Sequence, residues 1–142
     1  MHSARPTIHH AQDAAQTLKI AEHLAVSFKG GEVVFINGTM GAGKSVFARG
    51  LARGLGIQGP IPSPSFTILN EYEGRLPFFH FDLYRIGDEE ELVMLGADYA
   101  FHSTSVVAVE WSARALAALP EPSHTVEISI DEPDTRVIRM WA

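Results

Sequence analysis

The residues best suited to chemistry lie in one glycine-rich loop (residues 38–45), Gly38-Thr39-Met40-Gly41-Ala42-Gly43-Lys44-Ser45. A glycine, four free positions and then Gly-Lys-Ser form the motif that binds nucleotide phosphates, because successive backbone N–H groups point at the anion. We expect Lys44 to reach the β- and γ-phosphates and the Ser45 hydroxyl to bind Mg²⁺, which makes ATP and Mg²⁺ the predicted cofactors. The residues expected to contact ATP are Gly38, Met40, Gly41, Ala42, Gly43, Lys44 and Ser45.

Two carboxylates follow segments that are typical of buried strands. Asp82 comes after the apolar segment 78–81, and Glu110 comes after 106–109. Ligands gather at the carboxyl ends of parallel strands, so both acids could face the phosphates. One would position Mg²⁺ while the other orients or deprotonates the attacking water, and the spacing does not decide between them. We favour Glu110 at the metal and Asp82 in hydrolysis, because Glu110 ends the better candidate for a central strand.

Other polar and aromatic residues near these motifs have both a functional and an ordinary structural interpretation. Ser65 and Thr67 follow the first helix after the loop, where nucleotide switches place a hydroxyl that senses the γ-phosphate, but both residue types are also common beside proline. His80 alternates with aromatic residues and is expected to be structural. Arg85 could contact phosphate or pair with an acid. Trp111 could stack on a partner or pack internally.

The hydrophobic pattern predicts the elements that position these residues. Apolar runs without alternation at 33–36 and 105–111 are typical of strands buried on both faces of a parallel sheet. Helices are predicted at 13–28 and, directly after the glycine-rich loop, at 45–55. A hairpin is expected from strands at 66–72 and 78–83, and two C-terminal strands at 125–130 and 136–141. Two further helices are expected, one from 88 to about 99 and one at 113–119.

This order of elements predicts an α/β protein with a P-loop NTPase-like fold of three layers. We expect a mostly parallel central sheet with antiparallel additions and helices on its faces. No repeat or linker interrupts the pattern, so residues 1–142 are interpreted as a single nucleotide-binding domain. His9 and His10 are expected to belong to a flexible N-terminal segment that holds no metal.

The composition excludes several classes of protein. The chain has no cysteine, which rules out disulfides, a thiol nucleophile and cysteine-ligated metal sites. It has 11 Lys and Arg against 17 Asp and Glu, for a formal net charge of −6. Nucleic acids are bound chiefly by neutralising phosphates, so we expect no direct binding of DNA or tRNA. No apolar stretch approaches the roughly 20 residues that span a bilayer, and we expect a cytoplasmic protein with no membrane partner.

Four segments, taken in order, resemble the TsaE (YjeE) family. They are the glycine-rich loop, Ser63-Pro64-Ser65-Phe66-Thr67, His80-Phe81-Asp82-Leu83-Tyr84-Arg85 and Val109-Glu110-Trp111. The resemblance covers nearly the whole chain and implies the ATPase of the bacterial machinery that makes N6-threonylcarbamoyladenosine in tRNA. In that family the protein binds the TsaD–TsaB complex, and ATP binding and hydrolysis reset the complex between cycles. The resemblance therefore implies TsaD and TsaB as partners, with tRNA an indirect one.

Roles follow from the resemblance only where positions match. It implies that Lys44 and Ser45 contact phosphate and Mg²⁺, that Glu110 is a second metal contact and that Asp82 serves hydrolysis. Thr67 also matches a position tied to activity, so the catalytic candidates are Asp82, Lys44 and Thr67.

Further positions match the family with less defined roles. Trp111 matches a position tied to activity, and Arg136 lies in a C-terminal segment that approaches the nucleotide in that family. Serine stands at 45 and 65 where the family usually has threonine, and both keep the hydroxyl. We expect the face that carries 63–67 to meet the partner, because a face sensitive to the γ-phosphate can report nucleotide state.

Two other functions stay open at this point. A free-standing small-molecule kinase would use the same loop, but it needs a second substrate pocket and usually an arginine-rich lid, for which residues 56–77 are short and rich in proline. A nucleotide-dependent interaction module would bind ATP without meaningful hydrolysis.

Overall fold

The computed structural model describes residues 5–58, 68–132 and 134–142, and within these ranges seven strands form one sheet. The strands are β1 (Thr7–Ala11), β2 (Val33–Gly38), β3 (Leu69–Tyr72), β4 (Phe78–Asp82), β5 (Val106–Glu110), β6 (His124–Glu132) and β7 (Thr135–Trp141). Their spatial order is β1-β7-β6-β2-β5-β4-β3. The four central strands β6, β2, β5 and β4 are parallel, while β3, β7 and β1 add antiparallel edges. The predicted fold class is confirmed.

Helices cover both faces of this sheet. The α-helices are α1 (Ala14–Val26), α2 (Lys44–Gly54) and α3 (Glu89–Met94), and 3₁₀ helices occupy Ala97–Ala100 and Ser112–Ala118. Asp13 caps α1 by accepting a 2.8 Å hydrogen bond from the backbone N–H of Gln16. Asp88 caps α3 in the same way through the N–H of Glu91, at the start of the helix predicted from residue 88. In the part of the chain that the structure describes, no helix has both the length and the apolar character to cross a membrane.

Strands β2 and β5 are buried on both faces, which explains their unbroken apolar runs. Along β5, Ala108 belongs to the core beneath α1 and α2, and Val109 belongs to the core beneath α3 and the 3₁₀ helices. Side chains alternate along a strand, so Glu110 shares its face with Ala108. Asp82 stands beside Glu110 in the register of β4 and β5. Both carboxylates therefore lie at the strand ends on the α1–α2 side.

Small residues bring α2 close to α1. A Cβ atom added at Gly50 would lie 2.6 Å from the Cβ of Ala21, and one added at Gly54 would lie 2.7 Å from the Cβ of Ala25. The four residues repeat at a spacing of four, which places them on facing helix stripes. This close contact fixes the position of α2, and with it the end of the glycine-rich loop, relative to α1.

The prediction of a flexible N-terminal segment is wrong for the residues that include His9 and His10. They lie in β1, which pairs antiparallel with β7 along its whole length. Only Ala11 of this strand is buried. The strand therefore has almost no hydrophobic pattern, and its order comes from hydrogen bonds to β7 rather than from side-chain burial.

Two predicted helices also differ from those observed. The helix expected at 113–119 is a 3₁₀ helix with a non-helical backbone at Ala115 (φ −145°, ψ 36°). The helix opened by Asp88 ends at Met94, because Gly96 turns the chain with a left-handed backbone (φ 68°), and Tyr99 lies in the following 3₁₀ turn. The strand expected from 66 begins at Leu69 in the structure, and residues 66 and 67 lie outside the described ranges.

Candidate functional site

An open cleft of about 710 Å³ lies where β4 and β5 end and α2 begins. Lys44, Ser45, Asp82, Glu110 and Trp111 all contribute to its lining. The structure thus brings together residues from three separate segments that the sequence predicts to share a site. Met40, Gly41 and Gly43 of the glycine-rich loop complete one wall of the cleft.

The glycine-rich loop joins β2 to α2, and glycines at both of its ends are needed for this connection. A Cβ atom at Gly38 would lie 2.7 Å from the carbonyl oxygen of Ile128 on β6, so a side chain would push these strands apart. Gly43 forms the N-cap of α2 with a left-handed backbone (φ 107°), and because glycine has no side chain it supplies no capping hydrogen bond. The first N–H groups of α2 therefore lack a side-chain acceptor at the N-cap. Such a helix end is suited to binding an anion.

Lys44 is almost fully buried at this helix end. Its Nζ donates hydrogen bonds to the carbonyl oxygens of Gly38 (2.6 Å) and Thr39 (2.9 Å). Burial lowers the pKa of Lys44, while the negative charges of Glu110 and Asp82 act in the opposite direction. A phosphate bound at the loop would add negative charge beside this ammonium group and favour its charged form.

Trp111 covers Lys44 from the other side. The Lys44 Nζ lies 4.3 Å from the centre of a Trp111 ring, which is a cation–π contact, and the indole also packs against Tyr84. Trp111 has φ 60° and is the one non-glycine residue with a positive φ in the described ranges. This backbone is rare for a bulky residue, and such strain is found preferentially at functional sites.

Glu110 is buried with two polar partners. The Ser45 hydroxyl donates to the carboxylate at 3.2 and 3.3 Å, and Nε2 of His80 lies 2.6 Å from Oε2. Mg²⁺ prefers oxygen ligands and usually keeps waters and phosphate oxygens in its shell, so the hydroxyl and the carboxylate suit it. The described residues contain no cluster of three or more His, Cys, Asp or Glu that could hold a metal. Phosphate oxygens would have to complete this site.

Asp82 is half-buried one strand away from Glu110. Burial is the main cause that raises the pKa of Asp82; the hydrogen bond from the backbone N–H of Tyr84 opposes it, and repulsion from Glu110 adds to it. A carboxylate with a raised pKa is a better proton acceptor near neutral pH. Its environment therefore differs from that of Glu110, which faces the Ser45 hydroxyl directly.

The structure adds two contacts that sequence reasoning did not assign. His80, expected to be only structural, touches Glu110, and its position two residues before Asp82 on the same strand face was the available signal. The guanidinium of Arg136 donates to the carbonyl oxygens of Ala42 (3.1 Å) and Gly41 (3.4 Å). Arg136 thereby supports the glycine-rich loop from behind.

A second cleft, of about 500 Å³, lies on that far side of the loop. Asp13 and Thr17 of α1, Asp134, and Arg136 of β7 line it together with the loop itself. The glycine-rich loop therefore separates two clefts, one bordered by the carboxylates and the other by α1 and β7.

The other predicted site residues are only partly placed. Arg85 lines the first cleft together with Tyr84 and Glu91. Ser65 and Thr67 lie outside the described residues, so the predicted catalytic role of Thr67 stays a prediction.

The sheet order and the glycine-rich loop at the end of β2 define a P-loop NTPase-like α/β protein. A comparison with protein families agrees with this class and identifies one family within it. The family described as threonylcarbamoyl adenosine biosynthesis protein TsaE matches residues 11–138. The chain belongs to the TsaE family.

Individual relatives support the same assignment. The chain is 42% identical over 120 residues to the tRNA threonylcarbamoyladenosine biosynthesis protein TsaE of Treponema pallidum, covering 84% of this chain and 85% of that protein. It is 41% identical over 128 residues to the protein of the same name from Bacillus subtilis, covering 89% and 80% of the two chains. The crystal structure of YdiB from Bacillus subtilis superposes with a TM-score of 0.83 at 34% identity, covering 100% of this chain and 87% of that one.

Proposed function

We propose that the protein is a Mg²⁺-dependent ATPase required for threonylcarbamoylation of tRNA adenosine, and that it acts on the TsaD–TsaB complex rather than on tRNA. The observation that carries this proposal is the single cleft in which Lys44 and Ser45 of α2 face Asp82 and Glu110 of the neighbouring strands. Membership in the TsaE family supplies the pathway. The expected cytoplasmic location and the single nucleotide-binding domain are part of the same proposal.

The glycine-rich loop is the proposed phosphate-binding element. The N-terminus of α2 carries partial positive charge from its N–H groups, and Lys44 adds a full charge beside it. ATP phosphates would replace the carbonyl oxygens of Gly38 and Thr39 as partners of the ammonium group. The second cleft, bordered by Arg136, offers space for the nucleoside end of the ligand on the far side of the loop.

Ser45 and Glu110 are the proposed holders of Mg²⁺, since their oxygen atoms already meet at hydrogen-bond distance. The ion would neutralise charge on the phosphates that the loop binds. His80 keeps the Glu110 carboxylate in one orientation by occupying Oε2. Asp82 is left to orient or deprotonate the attacking water, which suits its raised pKa.

Action through protein partners agrees with the charge of the chain. A net charge of −6 disfavours a tRNA-binding surface on this protein itself, because the phosphates would be repelled rather than neutralised. The two alternatives from the sequence make different predictions. A kinase would transfer phosphate to a small acceptor, and an interaction module would bind ATP without turning it over.

The deciding experiment measures ATP hydrolysis by the purified protein, alone and with TsaD and TsaB added. We expect slow hydrolysis alone and faster hydrolysis in the complex, with Mg²⁺ required in both cases. Lys44→Ala is the negative control, and its activity sets the background of contaminating ATPases. A hydrolysis rate that TsaD and TsaB leave unchanged, with no complex formed, would refute the proposed function. The small-molecule kinase would then be the function to test next.

A further inference from the structure

Exposed apolar side chains are concentrated on α3 and the turn that follows it. Val93, Met94, Leu95 and Tyr99 are 63%, 86%, 48% and 51% exposed, and Met94 is the most exposed large apolar side chain among the described residues. We call these four residues the α3 patch. Leu92, by contrast, is buried in the core beneath the sheet, so the patch rests on an anchored segment. A cluster of this kind on a small protein is typical of an interaction site.

The rim of the α3 patch is strongly acidic. Segment 88–99 has no Lys or Arg, and its carboxylates are Asp88, Glu89, Glu90, Glu91 and Asp98, all of them exposed. Glu71 of the neighbouring β3 adds another carboxylate, which accepts a 2.7 Å hydrogen bond from the Tyr99 hydroxyl. Carboxylates of segment 88–99 and Glu71 therefore flank the apolar side chains of the patch.

The acidic residues around the α3 patch indicate which kind of partner can bind it. Two copies of the patch would bring their acidic rims together, and nucleic acid or an anionic membrane would place phosphates against the same carboxylates. A protein surface with an apolar centre and a rim of Lys and Arg would pack against the apolar side chains of the patch and pair with the carboxylates around it. Interfaces between proteins commonly have this anatomy of apolar core and polar rim.

The patch also adjoins the nucleotide cleft. Glu91 lines that cleft with Tyr84 and Arg85, and its carboxylate accepts a 2.6 Å hydrogen bond from the backbone N–H of Gly87. Residues 93 and 94 follow on the same short helix. A protein bound to the patch would therefore lie beside the phosphates and the carboxylates that are proposed to hydrolyse ATP.

We propose that the α3 patch is the docking surface for a basic-rimmed apolar surface of the TsaD–TsaB complex. This inference rests on the proposed function and adds the contact surface and its chemistry. Docking there couples the partner to ATP turnover through α3 and the cleft that Glu91 lines.

The test compares matched variants of the full chain in binding to purified TsaD–TsaB with ATP and Mg²⁺ present. Val93→Ser and Met94→Ser, singly and together, remove apolar contact from the patch. Val26→Ser is the control, because Val26 is 64% exposed and also lies in the last turn of a helix, α1. We expect the double variant to bind the complex at least about 10-fold more weakly, as for central interface residues, while Val26→Ser binds like wild type.

A second arm tests the acidic rim. Glu89→Lys with Glu90→Lys should slow association with the complex and reduce its sensitivity to salt, because steering by opposite charge is screened by ions. ATP binding and basal hydrolysis should be unchanged in the patch and rim variants, which shows that the nucleotide site is intact.

The outcomes separate the inference from the proposed function. If wild type binds the complex and the patch variants bind equally well, the docking surface is wrong and the proposed function stands. If wild type does not bind the complex at all, both are refuted. Self-association of wild type that Met94→Ser removes would instead make a second copy of the chain the occupant and overturn the proposal.

Discussion

His80 and Glu110 meet inside the protein, with Nε2 of His80 2.6 Å from Oε2 of Glu110 and side chains only 2% and 3% exposed. The pair links β4 to β5, and both carboxylate oxygens lie within 3.3 Å of the Ser45 hydroxyl. A buried carboxylate needs such partners, since an unpaired one would be strongly destabilising. The contact therefore both stabilises the strand ends and orients a proposed metal ligand.

His80→Phe should lower ATP hydrolysis more than ATP affinity, because it frees the Glu110 carboxylate to rotate without touching the loop. It should also lower the free energy of unfolding by about 1–3 kcal/mol, since a buried acceptor loses its partner. His80→Gln keeps a polar side chain and should restore part of both. The measurements are kcat and KM for ATP and urea unfolding; a kcat equal to wild type in His80→Phe would contradict the positioning role.

Lys44→Ala should abolish measurable ATP binding, because it removes the charge that faces the phosphates. Lys19→Ala is the control, as Lys19 is an exposed lysine of α1 away from the cleft. Titration with a fluorescent ATP analogue gives both affinities. Wild-type affinity in Lys44→Ala would refute the assignment of the glycine-rich loop as the phosphate site.

Trp111 should report nucleotide binding by its fluorescence. The chain has two tryptophans, so Trp141→Phe leaves Trp111 as the single emitter. ATP with Mg²⁺ should change its emission, since Lys44 must leave the indole face to reach the phosphates. In the same background, Lys44→Ala should give no change. An emission spectrum unaffected by saturating ATP in Trp141→Phe would show that the contact between Lys44 and Trp111 survives binding.

Asp82→Asn should separate activity from stability. Burial raises the pKa of Asp82, so the folded state holds its proton more strongly than the unfolded state does. The ionised group is therefore unfavourable to folding at neutral pH, and this penalty disappears as the pH falls below the ordinary pKa of an aspartate. Asp82→Asn should be more stable than wild type at pH 7, and the gain should vanish at about pH 3.

Hydrolysis by the same variant should fall by about 10²–10⁴-fold, the usual effect of removing a general base. Denaturant unfolding at several pH values and single-turnover hydrolysis test the two parts. Normal turnover by Asp82→Asn would exclude Asp82 as the hydrolytic residue and leave Glu110 as the carboxylate to test next.

Gly50→Ala should destabilise the protein by about 1–3 kcal/mol, because the new methyl group overlaps Ala21 of α1. Gly87→Ala is the matched control: its Cβ would meet only the flexible carboxylate end of Glu91, at 3.4 Å. Thermal unfolding compares the two variants. Equal melting temperatures would show that the small-residue contact between α1 and α2 does not hold the helices at this distance.

Local patterns in the sequence predicted much of the fold. The loop spacing, the helix start at Asp88 and the unbroken apolar runs of β2 and β5 each depend on residues close together in the chain. Hydrogen bonds and side-chain directions within a few residues determine such features, so they can be recognised without knowing the tertiary structure. β1 could not be recognised, because its order depends on β7 more than a hundred residues away.

The chain alone determined which residue types were present for phosphate and metal chemistry, and it placed Asp82 and Glu110 at strand ends. The tertiary structure decided their surroundings: the side-by-side register of the two acids, the His80 contact and the indole over Lys44. These relationships join residues that are 28 to 67 positions apart in the sequence. Burial and charge at the site arise from the packing of separate strands and helices, which no local pattern encodes.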